Sequence, residues 1–483
     1  MRVTRAILAV WIIIGVCISG GIAHAQWKSV VPGIEYQKFR LDGPINVDVA
    51  RADRQKKNWI IDTCIGQGTL RSGCETVSQM AERYDDSVNL YGELYDVKVA
   101  VNGDYFSFET CRPPGGQITS GWFVKRFGEY SGGSGFIWTF DRQAFLGGNV
   151  RNGKKLQKVV FSDASDMKIS NINAKRGPDE LILYTQHYAD RTYTATDGVE
   201  VLIHMDRPLG LATGPGPTTG RIVDMRQNED STLLPFDHVV LSGHGSAAKK
   251  LLDHAKVGQK LRFDLGLKDY GVNELKPRDW RNVRASMGGH FYCVMEGKVP
   301  AERWEKKGKP GAINRHPRTA VALNDSYVYF IVADGRSKES VGMTITELGN
   351  FCVEHLKASY AIAQDGGGSS TMWIDGKVMN VPSDGKLRGV ANGYMMVFVS
   401  DSKRSQTLSP GSRFKTKNKV ELRLGPGTNY GIARNITAGQ TGEIIQHQLN
   451  GVYAKKNYWW KCRLGQTQGW LPEDKMEVAL RRK

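Results

Sequence analysis

Two apolar segments of this chain each run into an acidic residue followed by glycine. Tyr327–Ala333 leads into Asp334-Gly335-Arg336, and Tyr360–Gln364 leads into Asp365-Gly366-Gly367-Gly368-Ser369-Ser370. A carboxylate at such a strand end can attack an electrophilic carbon or take a proton from water. Bare glycines let a ligand approach the backbone, and successive amides can form a nest for an anion. Ser369 and Ser370 add hydroxyls. Arg318 stands in His316-Pro317-Arg318-Thr319-Ala320 just before an apolar strand, Arg336 follows Asp334, and Arg388 lies in Arg388-Gly389-Val390-Ala391-Asn392-Gly393. Guanidinium stays charged and binds phosphate in a two-pronged way, so at least one of the three is expected to hold a phosphate. Upstream, Asn102-Gly103-Asp104-Tyr105-Phe106 follows another apolar run. Its amide and carboxylate suit sugar hydroxyls, and its aromatic rings suit the face of a pyranose. Glu75 and Asp104 are further groups able to position hydroxyls, and Asn392 closes the Arg388-Gly389-Val390-Ala391-Asn392 segment. The combination is equipment for a sugar joined to a phosphate.

Each motif also has a plainer reading. Asn-Gly-Asp is a good turn, three glycines are a loop, and any one arginine can serve a surface ion pair. Asp334, Asp365 and nearby carbonyls are hard oxygen ligands that also suit Ca²⁺. Other chemistries find little support. Ser369 lies outside a G-x-S-x-G elbow and has no histidine close by in sequence. His290 and His316 stand alone and read as structural residues. Phosphate-loop and dinucleotide patterns are missing, as is any Cys/His spacing for zinc.

These residues need a scaffold. Val97–Val101, Leu181–Tyr184, Val199–His204, Tyr327–Ala333, Tyr360–Gln364 and Met395–Val399 read as strands. Thr76-x-x-Gln79 and Thr344-x-x-Glu347 read as capping boxes opening helices. Asp375-Gly376 reads as a tight hairpin turn. If the strands ending at Asp334 and Asp365 are neighbours, both carboxylates share one rim. The expected fold is α+β: a mixed-sheet catalytic domain over residues 26–400, then a small all-β barrel over 420–483. The polar stretch 401–419 reads as a linker.

The chain has 483 residues and a formal charge of +17. Arg2 and Arg5, an apolar run to Ile18 and Ala23-His24-Ala25 make residues 1–25 a secretory signal peptide, cleaved before Gln26. Cleavage leaves about +15 (+17 less two arginines) and no other segment that is apolar enough to span a bilayer. A basic exported protein suits polyanionic envelope polymers rather than nucleic acid. Seven cysteines less Cys17 leave six, an even number in an oxidising compartment. Their pairing stays open, although Cys64, Cys74 and Cys111 are close enough in sequence for one bond among them.

In their order along the chain, Asn102–Phe106, Arg318-Thr319-Ala320, Ala333–Arg336 and Asp365–Thr371 resemble motifs of the phosphodiester glycosidase family. The resemblance runs from about Pro32 to Val399. Gly73–Ser78, Asn171–Asn173 and Leu183–Thr185 are similar to its bacterial branch. It implies a hydrolase that cleaves the C1–O bond of a sugar-1-phosphodiester of the N-acetylglucosamine type, in an envelope or exopolysaccharide glycan. Asp365 is the first choice for the carboxylate at the anomeric carbon and Asp334 the second, with Arg318 and Arg336 stabilising the departing phosphate. Asn102, Asp104, Glu75, Gly366, Gly367, Ser369, Ser370, Arg388 and Asn392 would hold substrate. Leu422–Tyr430, Trp459-Trp460-Lys461 and Gly469-Trp470-Leu471 resemble the bacterial SH3 family, which implies a module that binds peptidoglycan peptides or packs against the catalytic domain. The other reading is a non-catalytic wall- or exopolysaccharide-binding protein on the same scaffold.

Overall fold

The computed structural model describes residues 26–127, 135–148, 150–151, 157–205, 218–229, 231–271, 276–280, 282–300 and 308–478. The expected signal peptide lies outside the described residues.

The fold is mostly β, with 45% strand and 10% helix, and this corrects the α+β expectation. Both capping boxes form, at Thr76/Gln79 and Thr344/Glu347, and each opens a short helix, Val77–Tyr84 and Ile345–Glu354. The helical signals were therefore real but few. Most of the chain between them is short β-branched or alternating segments that pair as antiparallel strands.

Two sheets face each other to frame the site. The first has seven strands, running Lys28–Val31, Ile34–Leu41, Ile45–Asp53, Tyr327–Ala333, Arg318–Leu323, Tyr360–Ala363 and Phe291–Val294. The second has five, running Lys377–Val378, Met372–Ile374, Glu93–Asn102, Asn392–Asp401 and Trp59–Ile65. Val321, Phe330 and Ile362 of the first pack with Val99, Met372 and Met396 of the second in one buried core. The Ile345–Glu354 helix covers the outer face of the first sheet through Leu348, Phe351 and Cys352. The Val77–Tyr84 helix covers the second through Val77, Met80 and Ala81. Both sheets are thus buried on two sides, which fixes their strand ends as rigid mounting points.

An eight-stranded sheet, antiparallel except for its edge pair Asn171–Ile172 and Leu181–Thr185, includes Gly198–Met205 and His238–His244 and builds a second body whose core contains Val201, Ile203, Leu241 and Phe263. Trp459 and Trp470 of the C-terminal region join that same core. The strands from Arg413 to Val478 close into their own sheet around Leu422, Trp460 and Leu471. The stretch read as a linker is tied to both sides: Ser402 N–H donates to the Gly92 carbonyl, Ser405 N–H to Gly451, and Arg413–Thr416 is itself a strand of the C-terminal sheet. No helix among the described residues is long and apolar enough to cross a membrane.

Cys74 and Cys111 form a disulfide, while Cys64, Cys293, Cys352 and Cys462 are buried thiols. The bond closes a loop with a sequence separation of 37. Chain-entropy arguments give such a closure about 3–4 kcal/mol. Reduction, or Cys111→Ser, is expected to lower the melting temperature by several degrees. A melt unchanged by reductant would show that the denatured state gains nothing from this cross-link.

Candidate active site

Arg318 opens the central strand of a three-strand group. Its neighbours, Tyr327–Ala333 and Tyr360–Ala363, both run antiparallel to it, so both end where it begins. Arg318 pairs with Ala333, and Ala320 pairs with Ala363. Asp334 and Asp365 therefore emerge on the same rim. They are not neighbours, however, because the Arg318 strand separates them, and two strand spacings amount to about 9.5 Å.

That separation divides their roles. Asp334 is buried; its Oδ1 accepts the Val381 N–H at 2.8 Å, and its Oδ2 lies 4.0 Å from Lys38 Nζ. Its electrostatic neighbours are Lys38, Asn380 and Asp48, not Asp365. Asp365 remains half-buried at the rim. Its Oδ2 accepts the Ser369 hydroxyl at 2.6 Å, and its Oδ1 accepts the Gly366 N–H at 2.9 Å. Burial raises its carboxyl above the usual range, against the opposing pull of Ser369, Gly366 and Arg388.

The glycine-rich turn does not form the expected anion nest. The Gly366 N–H goes to Asp365, Gly367 to the Pro317 carbonyl, Ser369 to Gly366 and Ser370 to Gly367. The glycines instead admit neighbouring side chains. Gly367 adopts φ +63°, and a Cβ there would lie 2.9 Å from the Arg336 guanidinium. A Cβ on Gly368 would stand within 2.2 Å of both Asp384 and Arg388. Arg388 is held by Asp384 at 2.6 Å and reaches Ser369 Oγ at 3.3 Å, and its guanidinium lies over Phe108.

Arg318 is buried and donates to the Met343 and Asn314 carbonyls. Neither Arg318 nor Arg336 has a carboxylate partner among the described residues. The two are close enough that Arg336 lowers the proton affinity of Arg318, after the larger effect of burial. Two guanidinium groups without carboxylate partners, standing at the Gly366-Gly367 turn that follows Asp365, make a positive pole that an anion would fill. Tyr105 joins them: burial, then the Asp365 charge, pushes its hydroxyl up to about 12, with Arg318 opposing. Its ring meets His290 edge to face.

Several residues expected to touch substrate are spent on the scaffold. Asn102 is fully buried, donates to the Asp365 carbonyl at 2.8 Å, and accepts from Thr319 Oγ1 and the Thr371 N–H. It ties the two sheets together directly beneath Asp365. Asn392 accepts the Asp104 N–H and donates to Gln117. Glu75 is buried, pairs with Arg83 at 2.6 Å and accepts the Gln67 N–H. Its backbone exchanges two hydrogen bonds with Val390, which fixes the Arg388 segment.

Asp104 is nearly enclosed. A Cβ on Gly115 or Gly288 would fall 2.5 or 2.2 Å from its Oδ2. Burial pushes its carboxyl up from 3.8 to about 6. A carboxyl whose folded value is raised binds its proton more tightly in the native state. The stability it contributes is therefore full below about pH 4 and lost as pH rises through about 6. Asp104→Asn is expected to remove that segment of the stability–pH curve, read by urea unfolding from pH 4 to 7. An unchanged slope would assign the dependence to other carboxylates.

Sequence reading missed two features. One is Asp384, whose spacing to Arg388 lies in a loop and carries no periodic signal. The other is a cluster of buried polar atoms without protein partners: both amide atoms of Gln364, Ser370 Oγ, Thr371 Oγ1 and His316 Nδ1. Gln364 is 2% exposed. Such atoms imply bound water or ligand.

For cations, one grouping of three His, Cys, Asp or Glu ligand atoms occurs among the described residues: His204, Asp237 and His447. It does not include Asp334 or Asp365. Lys461 Nζ already stands 3.0 Å from Asp237 Oδ2. His447 Nδ1 accepts the Leu449 N–H, which leaves the proton on Nε2, the atom facing Asp237. Both facts oppose a metal there.

Residues 217–397 match the model of the phosphodiester glycosidase family. Comparison with curated proteins finds no match. Among solved structures, a hypothetical protein from Synechocystis is similar at 13% identity and a TM-score of 0.53; the alignment covers 77% of this chain and 64% of that one. This chain thus spans just under two thirds of that protein's length, and the likeness is one of fold. A Burkholderia pseudomallei protein described as exported aligns at 19% identity over 73% of this chain and 74% of its own, TM-score 0.48. The catalytic domain of zebrafish N-acetylglucosamine-1-phosphodiester alpha-N-acetylglucosaminidase, auto-inhibited by its pro-peptide, aligns at 13% identity over 77% and 86%, TM-score 0.36.

Proposed function

We propose that this chain is a hydrolase that cleaves the C1–O bond between a sugar and a phosphodiester, releasing a phosphomonoester. The observation that carries the reading is the pair of guanidinium groups, Arg318 and Arg336, without carboxylate partners at the Gly366-Gly367 turn that follows Asp365. The family match over residues 217–397 includes all three. In this reading the phosphate rests against Arg318 and Arg336, and the anomeric carbon faces Asp365. The bond breaks with its electron pair passing to the phosphate oxygen. A phosphate leaves readily and needs little protonation, so one accessible carboxylate suffices, acting as nucleophile or as base for water. Ser369 and Gly366 orient that carboxylate, and Arg388 reaches it through Ser369. Asp334 is assigned to holding the Val381 loop rather than to the chemistry.

An exported, envelope-associated protein acting on an N-acetylglucosamine-1-phosphate linkage is the form of this proposal that fits the N-terminal residues and the basic charge. The C-terminal sheet would be its SH3-like tether to peptidoglycan. The test is release of N-acetylglucosamine from UDP-N-acetylglucosamine and from the methyl ester of N-acetylglucosamine 1-phosphate. Failure on these and on a panel of other sugar-1-phosphodiesters would leave the non-catalytic binding reading.

A further inference from the structure

A cavity of about 470 Å³ lies away from Asp365, at the seam with the C-terminal sheet. That volume is within the range of small-molecule sites, roughly 300–1,000 Å³. One wall comes from the body, with Tyr84, Trp122, Gln186 and His187; the other comes from the loop around Asn429 and Tyr430. The loop is held in place from both sides. Tyr430 Oη donates to the Val88 carbonyl at 3.0 Å, and the Phe236 N–H donates to Leu424 at 3.1 Å. The cavity therefore exists only where the two parts meet.

Its walls carry buried polar atoms with no protein partner. Gln186 Oε1, His187 Nε2, Asn429 Oδ1 and Tyr91 Oη are all in this state, and all four residues line the cavity. Two of the four, Gln186 Oε1 and Asn429 Oδ1, are amide oxygens that can only accept. The His187 ring is buried, which pushes it down to about 4, and it interacts with the Gly68 backbone. It is neutral near pH 7.

The cations in the walls are already matched: Arg83 pairs with Glu75 and Arg423 pairs with Glu421. Asp190 accepts the Tyr193 hydroxyl and keeps its negative charge. A ligand here meets no unpaired cation. It must supply several O–H or N–H donors and an apolar face for Tyr84, Trp122 and Tyr430. A pyranose does both: its hydroxyls donate around the ring edge, and its C–H face packs on aromatic rings. An acidic peptide or phosphate would find no cation to receive it.

We propose that this seam cavity is a second binding site, built jointly by the body and the C-terminal sheet, for an uncharged saccharide. It does not rest on the reaction proposed at Asp365. If both are right, the protein grips a neutral stretch of glycan at a distance from the phosphate-linked sugar.

The test uses the whole mature protein, titrated calorimetrically with N,N′-diacetylchitobiose, cellobiose and maltose. At least one is expected to bind saturably. Gln186→Leu and Asn429→Ala should each weaken that binding by about tenfold, because each removes an acceptor from a desolvated site. Arg336→Gln should leave it unchanged. Hydrogen exchange on the wild type gives a reading independent of the variants' folding: the bound sugar should slow exchange at residues 186–190 and 428–431. No binding by any of the three sugars overturns the proposal. So does binding lost in Arg336→Gln but retained in Gln186→Leu, or protection confined to residues 364–371, since either would place the sugar at the Asp365 site.

Discussion

Asp365→Asn is expected to lower sugar release by on the order of 10³-fold, the usual scale for removing a positioned acid–base or nucleophilic group. The substitution is nearly isosteric. The amide oxygen can still accept the Gly366 N–H, and the Ser369 hydroxyl can still meet the other terminal atom. Asn102 contacts the Asp365 carbonyl rather than its side chain, so the sheet-to-sheet tie survives. Loss of activity with an unchanged melt would therefore report chemistry and not collapse. Since burial raises the Asp365 carboxyl, wild-type activity should fall on the acid side at a pH above that of an ordinary aspartate. Activity of the variant within tenfold of wild type would remove Asp365 from the reaction.

The second large effect is expected at the positive pole. Arg336→Gln should lower kcat/KM for a sugar-1-phosphodiester by about 10²–10³-fold, comparable with deleting one preorganised donor to a developing anion. Arg336 is the cleaner of the two arginines to test. It is exposed and rests over Gly367, whereas Arg318 also satisfies the Met343 and Asn314 carbonyls and its loss would leave both without a donor. The loss should be much smaller on an aryl N-acetylglucosaminide, whose leaving group carries no phosphate. Equal losses on both substrates would assign Arg336 to general binding. No loss on either would contradict a phosphate seat at this rim.

Much of the site could be read directly from the chain. The sequence alone placed Asp334 and Asp365 at strand ends, because an apolar run that stops at Asp-Gly reports both the strand and its rim, and it placed Arg318 just before an apolar strand. The two capping boxes identified their helices, since Thr and Gln or Glu at that spacing satisfy orphan amides locally. The disulfide's neighbourhood was legible as well, as a bond among Cys64, Cys74 and Cys111; only the burial of Cys64 in the helix-covered core left Cys74 and Cys111 to pair.

Other matters depended on contacts between residues hundreds of positions apart. Strand order put Arg318 between the two acids, and so turned Asp334 toward Val381 and Lys38 while Asp365 stayed at the rim. Asn102 and Asn392 look like ligand residues in one dimension. Their amides prove to be needed across the interior, where an unpaired buried amide is costly and its partners lie 217 and 288 residues away. The α+β expectation failed for a related reason. Capped helices announce themselves locally, while short antiparallel strands acquire identity only from the strands beside them. Residue type and local spacing determined which groups were available for chemistry; long-range hydrogen bonding and burial decided which of them remained free to perform it.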